Sequence, residues 1–139
     1  MPFPNGISAP PRHLLEAALA EALLLVATDD ENRPVAFLAA HPHDGGLYIG
    51  EIDVARAWQR RGIGRALMRK AIDEARKRHL WGTMLTTERS VPFNAPFYAS
   101  LGFREVDPAA MPRKLVEVLA GEAAAGAGPD RRVGMVLRF

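Results

Sequence analysis

The segment from Val54 to Arg78, VARAWQRRGIGRALMRKAIDEARKR, limits the fold more than any other part of this chain. A β-like run ends at Val54, a turn containing Gly62 and Gly64 follows, and the remainder has helical spacing. Leu67, Met68, Ala71, Ile72 and Ala75 share one face, while Arg69, Lys70, Asp73, Glu74, Arg76 and Lys77 share the other. The spacing predicts an amphipathic helix over 64–78. A strand that feeds such a helix is expected to be followed by a further strand lying parallel to it in the same sheet.

The same turn is chemically suggestive. The first amides of a helix have no intrahelical acceptor, and the helix dipole puts positive charge there, so a strand-to-helix turn with bare backbone can hold an anion. Gly62 and Gly64 allow close approach, and Arg60, Arg61 and Arg65 place positive charge at the rim. A turn that serves only the fold, with arginines that solubilise the helix, stands beside this reading.

The rest of the chain supplies the partners. Leu23 to Thr28 is a candidate buried strand, DDENR turns it into a second strand over Pro34 to His41, and PHDGG leads into a third over Leu47 to Val54. Gly50 inside that third strand predicts a bulge or a close backbone approach. After the helix come a strand over Trp81 to Thr87, a short helix over Ala95 to Leu101, a turn at Gly102 and a strand over Phe103 to Val106. A helix from Pro112 dissolves into an Ala/Gly connection, and Arg131 to Phe139 closes the chain as a strand. Ahead of all this, residues 1–11 hold four prolines and read as an arm, followed by a helix over Arg12 to Ala22. The order α-β-β-β-α-β-α-β-α-β predicts an α/β fold of the mixed α+β kind: a central mixed sheet flanked by helices, in a single domain over 12–139 behind the arm.

Composition narrows the function. No apolar run approaches the roughly 20 residues that span a bilayer, and no secretory leader pattern opens the chain, so no membrane partner is expected. The chain has no cysteine, which removes disulfides and thiolate chemistry and fits a cytoplasmic protein. A net charge of +2 is too small for a nucleic-acid binder, and no aromatic-basic platform is present. His41-Pro42-His43-Asp44 falls in a predicted hairpin turn with no further ligand nearby, His13 and His79 stand alone, and no metal is assigned. Trp58 and Trp81 are expected to be packing residues.

Two well-known phosphate loops do not fit. A P-loop needs Lys-Ser or Lys-Thr after its glycines, which is absent here, and a dinucleotide turn needs a small residue where Leu67 stands. Gln59-x-x-Gly62-x-Gly64 instead resembles the Gln/Arg-x-x-Gly-x-Gly/Ala signature of the GNAT family of N-acetyltransferases. Downstream, VPFNAPFYASLGF (Val91 to Phe103) resembles that family's second motif, in the family's order and separated from the first by a helix and a strand.

The resemblance implies a GNAT-like acyl-CoA fold and acetyl-CoA as the acyl donor, with its pyrophosphate on the turn from Arg60 to Arg65: Arg60, Arg61, Gly62, Ile63, Gly64 and Arg65, with Gln59 opening the signature. It implies that the pantetheine arm lies between two splayed parallel strands ending near Val54 and Thr87, bonded to Ile52, Asp53 and Val54. Asn94 matches a family asparagine that contacts the cofactor, and Tyr98 matches the tyrosine beside the CoA sulfur, whose phenol can donate a proton to the departing thiolate.

Acylating an amine also requires a base, because an alkyl amine with a pKa of about 10 is mostly protonated at pH 7. Glu51 and Asp53, two apart on one strand, share a face near the expected thioester, and the resemblance implies Glu51 as the base, because a glutamate on this strand often plays that part in the family. Either carboxylate alternatively positions substrate or binds an arginine. A backbone amide near Val54 is expected to polarise the carbonyl.

Against the family pattern, the strand and helix usual ahead of the helix at Arg12 are expected to be lacking, with the arm in their place. That leaves the Leu23–Thr28 strand as an expected edge, so a homodimer is expected. The expected function is transfer of an acetyl group from acetyl-CoA to a primary amine acceptor, on a small molecule or a protein, by direct attack in a ternary complex. The alternative is a non-catalytic acyl-CoA-binding or regulatory module.

Overall fold

The computed structural model describes residues 20, 23–89, 94–126 and 131–139. The predicted arm, the predicted first helix apart from Ala20, and residues 91–93 of the second motif lie outside the described residues. The strands are β1 (Leu24–Thr28), β2 (Pro34–His43), β3 (Gly46–Val54), β4 (Gly82–Glu88), β5 (Arg104–Glu105) and β6 (Arg132–Arg138). The helices are α1 (Ile63–Lys77), α2 (Ala95–Ser100) and α3 (Arg113–Ala124), with 3-10 turns at Arg56–Trp58 and Pro108–Ala110. The sheet runs β1-β2-β3-β4-β6-β5. β3 and β4 are parallel, as the crossover through α1 requires, and the other neighbours are antiparallel.

The two faces of the sheet have different coverings. Ala36, Leu38 and Ala40 of β2 join Leu47, Ile49, Leu85, Val133 and Met135 in the main core, together with the α1 face Leu67, Met68, Ala71, Ile72 and Ala75. These five α1 residues are the apolar face expected from the periodicity. Burying a side chain such as Leu67 stabilises by roughly 1.5–3 kcal/mol, so α1 owes its position to this stripe. On the opposite face, Tyr48, Met84 and Leu115 form a second core under α3, with Trp81 packed against it.

β1 lies at one edge of the sheet among the described residues, the position expected of the Leu23–Thr28 segment, and it is not buried throughout: its exposure alternates, and Val26 is 41% exposed. The predicted turn after residue 41 is shorter than expected: β2 runs on through His43, and Asp44 and Gly45 make the turn. Tyr48 stacks edge-on against His41 at 5.5 Å, which holds the histidine in the strand. Trp81 Nε1 donates to the Asp44 carbonyl at 3.1 Å and closes the end of the hairpin.

β4 and β6 approach closely at Gly82, which pairs with Arg138. A Cβ on Gly82 would collide with the Leu137 carbonyl oxygen and with the Arg138 backbone. Neither is a flexible side chain able to give way. Gly82→Ala is therefore expected to destabilise the fold by about 3 kcal/mol, read as a lower denaturation midpoint with the slope unchanged. A variant as stable as wild type would show that this strand end can separate without cost.

Candidate active site

β3 and β4 pair only at Leu47–Thr83 and Tyr48–Met84, after which the strands part. The cause lies in β3. Ala39 pairs with Glu51 and Ala40 with Ile49, so Gly50 is an extra residue without a partner on β2. This is the bulge predicted at Gly50, and it reverses the alternation of the strand. Tyr48 and Ile49 point to opposite faces as usual, but beyond the bulge Glu51 and Asp53 join the Tyr48 face. Ile52 and Val54 pack instead toward the main core beneath α1.

A cavity of about 400 Å³ opens on the α1 side of this parting. Ile52, Asp53 and Val54 of β3 form one wall, and Asn94, Phe97 and Tyr98 at α2 form another. Gln59, Arg60, Gly62, Gly64 and Arg65 close the end at the start of α1. Ten of the residues expected at the site are thus brought together. Three are not among the lining: Glu51 lies on the other face of β3, Ile63 packs against the core, and Arg61 stacks over the Trp58 ring at 4.7 Å.

The turn leaves its backbone open at the end of the cavity. Gly62 caps α1 in the left-handed conformation, φ 82°, which a side chain adopts only with strain. Arg60 is also left-handed at φ 65°. Gln59 Nε2 donates to the Val54 carbonyl at 3.0 Å and ties the turn to the end of β3. The amides of the first turn, from Ile63 to Arg65, have no intrahelical acceptors, and no acidic side chain sits in that turn to compete. Arg65 donates from Nη2 to Ser100 Oγ at 2.9 Å and lies over the Phe97 ring, so α2 holds it at the cavity edge.

Tyr98 is 9% exposed and sits edge-on to Phe97 at 5.1 Å and to Phe103 at 6.0 Å. Burial pushes its phenol up to about 12, Glu51 adds to the rise, and Arg132 opposes it. Burial likewise raises the Glu51 carboxyl above the ordinary glutamate range, and the Asp53 charge raises it further. Asp53 is raised by burial, against a hydrogen bond from the Val54 amide. The two carboxylates share one face, as their spacing predicts.

Two lining residues escaped sequence reasoning. Trp58 lines the cavity while also packing against Phe37 and Ala55, so the packing role expected of it is half of the description. Phe97 lines the cavity beside Tyr98. Its place one residue before the tyrosine was the only available signal. Among the described residues, no group of three or more His, Asp or Glu side chains is arranged to hold a metal ion.

A family model described as the acetyltransferase (GNAT) family matches residues 2–103. Among solved structures, the chain is similar to a Bacillus anthracis protein described as a streptothricin acetyltransferase, in complex with acetyl coenzyme A. There the identity is 20% and the TM-score 0.64, over 82% of this chain and 60% of that one. It is similar to the ribosomal-protein-S18-alanine N-acetyltransferase from Escherichia coli at 22% identity and TM-score 0.66, over 96% of this chain and 79% of that one. It is also similar to the PaiA N-acetyltransferase from Thermoplasma acidophilum, in complex with coenzyme A. That match has 17% identity and TM-score 0.61, over 84% of this chain and 60% of that one. At these identities the likeness is one of fold. The chain spans about three fifths of the length of the first and third of these proteins.

Proposed function

The chain belongs to the GNAT acetyltransferase family, and from that premise we propose that it transfers an acetyl group from acetyl-CoA to a primary amine by direct attack in a ternary complex. One observation carries the reading. The cavity runs from the uncapped amides of α1 to Tyr98, at the place where the Gly50 bulge parts β3 from β4. Acetyl-CoA supplies the activated acetyl group as a thioester. The first-turn amides, with Arg60 and Arg65 beside them, fit its pyrophosphate. Ile52 to Val54 offer backbone along the pantetheine path, and Asn94 stands at the opposite wall.

The faces of the sheet then divide the labour. Tyr98 stands on the cofactor side, and Glu51 opens to the other face, from which an amine reaches the gap. As the amine nitrogen bonds to the carbonyl carbon and the C–S bond breaks, Glu51 takes the amine proton and Tyr98 gives its phenolic proton to the leaving sulfur. A raised carboxyl is a stronger base than an ordinary glutamate, which suits the first task.

Acetyl-CoA-dependent thiol release over a panel of amines tests the proposal, and a chain that binds acetyl-CoA yet releases no thiol with any amine would support the binding-module alternative. Glu51→Gln is expected to lower kcat/KM about tenfold at pH 8, with the deficit shrinking as rising pH supplies free amine. The pH dependence has a definite sign. Glu51 must be ionised to act, so activity falls as pH drops through its raised pKa. Asp53→Asn removes the neighbouring charge and should move that acidic limb to lower pH. A limb that stays in place would remove Glu51 from the role.

We further propose a homodimer formed along the outer edge of β1, which lacks a neighbouring strand among the described residues. A monomeric mass by light scattering at working concentration would overturn it. Cytoplasmic location and a single domain over 12–139 complete the proposal. The absence of cysteine supports the first, and no helix among the described residues is long and apolar enough to cross a membrane.

A further inference from the structure

α2 carries Tyr98 and forms one wall of the cavity, yet it is six residues long, and its N-cap, Asn94, makes no side-chain capping bond. A helix that short has little stability of its own and takes its place from what it touches. Tyr98 anchors it on the buried side, in the main core. On the exposed side the contact runs through its last residue. Arg65 of α1 donates from Nη2 to Ser100 Oγ at 2.9 Å, and Ser100 Oγ donates to the Phe97 carbonyl at 2.5 Å. A serine hydroxyl has one hydrogen to donate and two lone pairs that accept. The bond back to Phe97 within the same turn fixes where the lone pairs point, and Arg65 takes one of them. The same guanidinium lies over the Phe97 ring, 5.5 Å from its centroid. Both of these partners are uncharged, so they hold the arginine without neutralising it.

We propose that Ser100 is a positioning residue for acetyl-CoA: it holds the Arg65 guanidinium ready at the phosphate end of the cavity. The inference rests on the proposed cofactor site. Arg65 lines that end together with Gly62 and Gly64, whereas Ser100 is not among the lining and acts through the arginine. One of the five N–H donors of the guanidinium serves Ser100, and the planar fork keeps others for a pair of phosphate oxygens. A long side chain that is free in solvent loses rotamer freedom when it grips an anion. One already held loses less, and the difference appears as affinity.

Calorimetry with acetyl-CoA tests this on the wild type, Ser100→Ala, Arg65→Met and the double variant. Ser100→Ala is expected to weaken binding about fivefold, the size of one side chain's ordering on association, and to raise the KM for acetyl-CoA with kcat unchanged. Alanine favours a helix more than serine does, so the substitution does not weaken α2 itself. Ser100→Thr keeps the hydroxyl and should restore the affinity. In the Arg65→Met chain the same Ser100→Ala change should have no further effect, since the residue it positions is gone. Undiminished affinity in Ser100→Ala, or a full fivefold loss on top of Arg65→Met, would overturn the proposal. Gly64→Glu measured alongside separates the failures. Wild-type binding there removes the cofactor site and this inference with it, whereas lost binding there with none lost in Ser100→Ala removes the inference alone.

Discussion

Tyr98→Phe is expected to lower kcat about 100-fold while acetyl-CoA binds as before. Proton donation to a leaving group typically contributes about 10²–10⁴ in rate. A phenol pushed up to about 12 is a weak acid next to a thiol of pKa about 8.5, which places the loss at the low end of that range. The substitution removes a single oxygen. The ring keeps its edge contacts to Phe97 and Phe103, so the fold and the cavity wall should survive. Steady-state kinetics with calorimetry of acetyl-CoA binding give the two readings needed. Tyr98 itself should contribute no alkaline limb at assay pH, because it stays protonated throughout. A Tyr98→Phe enzyme at full rate would move proton donation to water and leave Tyr98 as a packing residue.

Gly64→Glu is expected to weaken acetyl-CoA binding at least 100-fold, the largest effect on affinity anywhere in the chain. A Cβ at this position would lie 3.8 Å from Val54 Cγ2 and 3.9 Å from Phe97 Cζ, which is ordinary contact with two residues of the cavity wall. A methyl group is therefore tolerated, and Gly64→Ala serves as the control, with a folded chain and a modest loss. A glutamate reaches further and sets a carboxylate where the pyrophosphate belongs. Like charges at a few ångströms in a partly desolvated site oppose one another by several kcal/mol. The same carboxylate at the start of α1 favours the helix dipole, so lost binding cannot be blamed on a lost helix. Circular dichroism and calorimetry on the pair settle the question. Undiminished binding in Gly64→Glu would mean that the anion sits elsewhere and that the turn serves the fold alone.

Much of this was legible before the structure because the signals are local. The α1 face follows from a period visible within the segment itself, and all five predicted residues are buried. The glycine turn, the parallel crossover and the bulge at Gly50 follow from short-range rules in the same way. What could not be read was which face each β3 residue takes. That depends on where the single extra residue falls relative to β2, and pairing alone sets it. The cavity lining by Trp58 and Phe97 likewise depends on which distant segments come to lie alongside.

By itself, then, the sequence determined the turn, the helix it opens, the order of elements and the residue types able to hold an anion and move protons. These are properties of neighbours in the chain, where backbone geometry and side-chain period leave few choices. Only the tertiary structure decided that Tyr98 and Glu51 lie on opposite faces of the sheet. It alone set Arg65 against Ser100, 35 residues away, at the edge of the cavity. Contacts of that kind have no period, because they arise when strands pair in one register and a helix from elsewhere in the chain covers them.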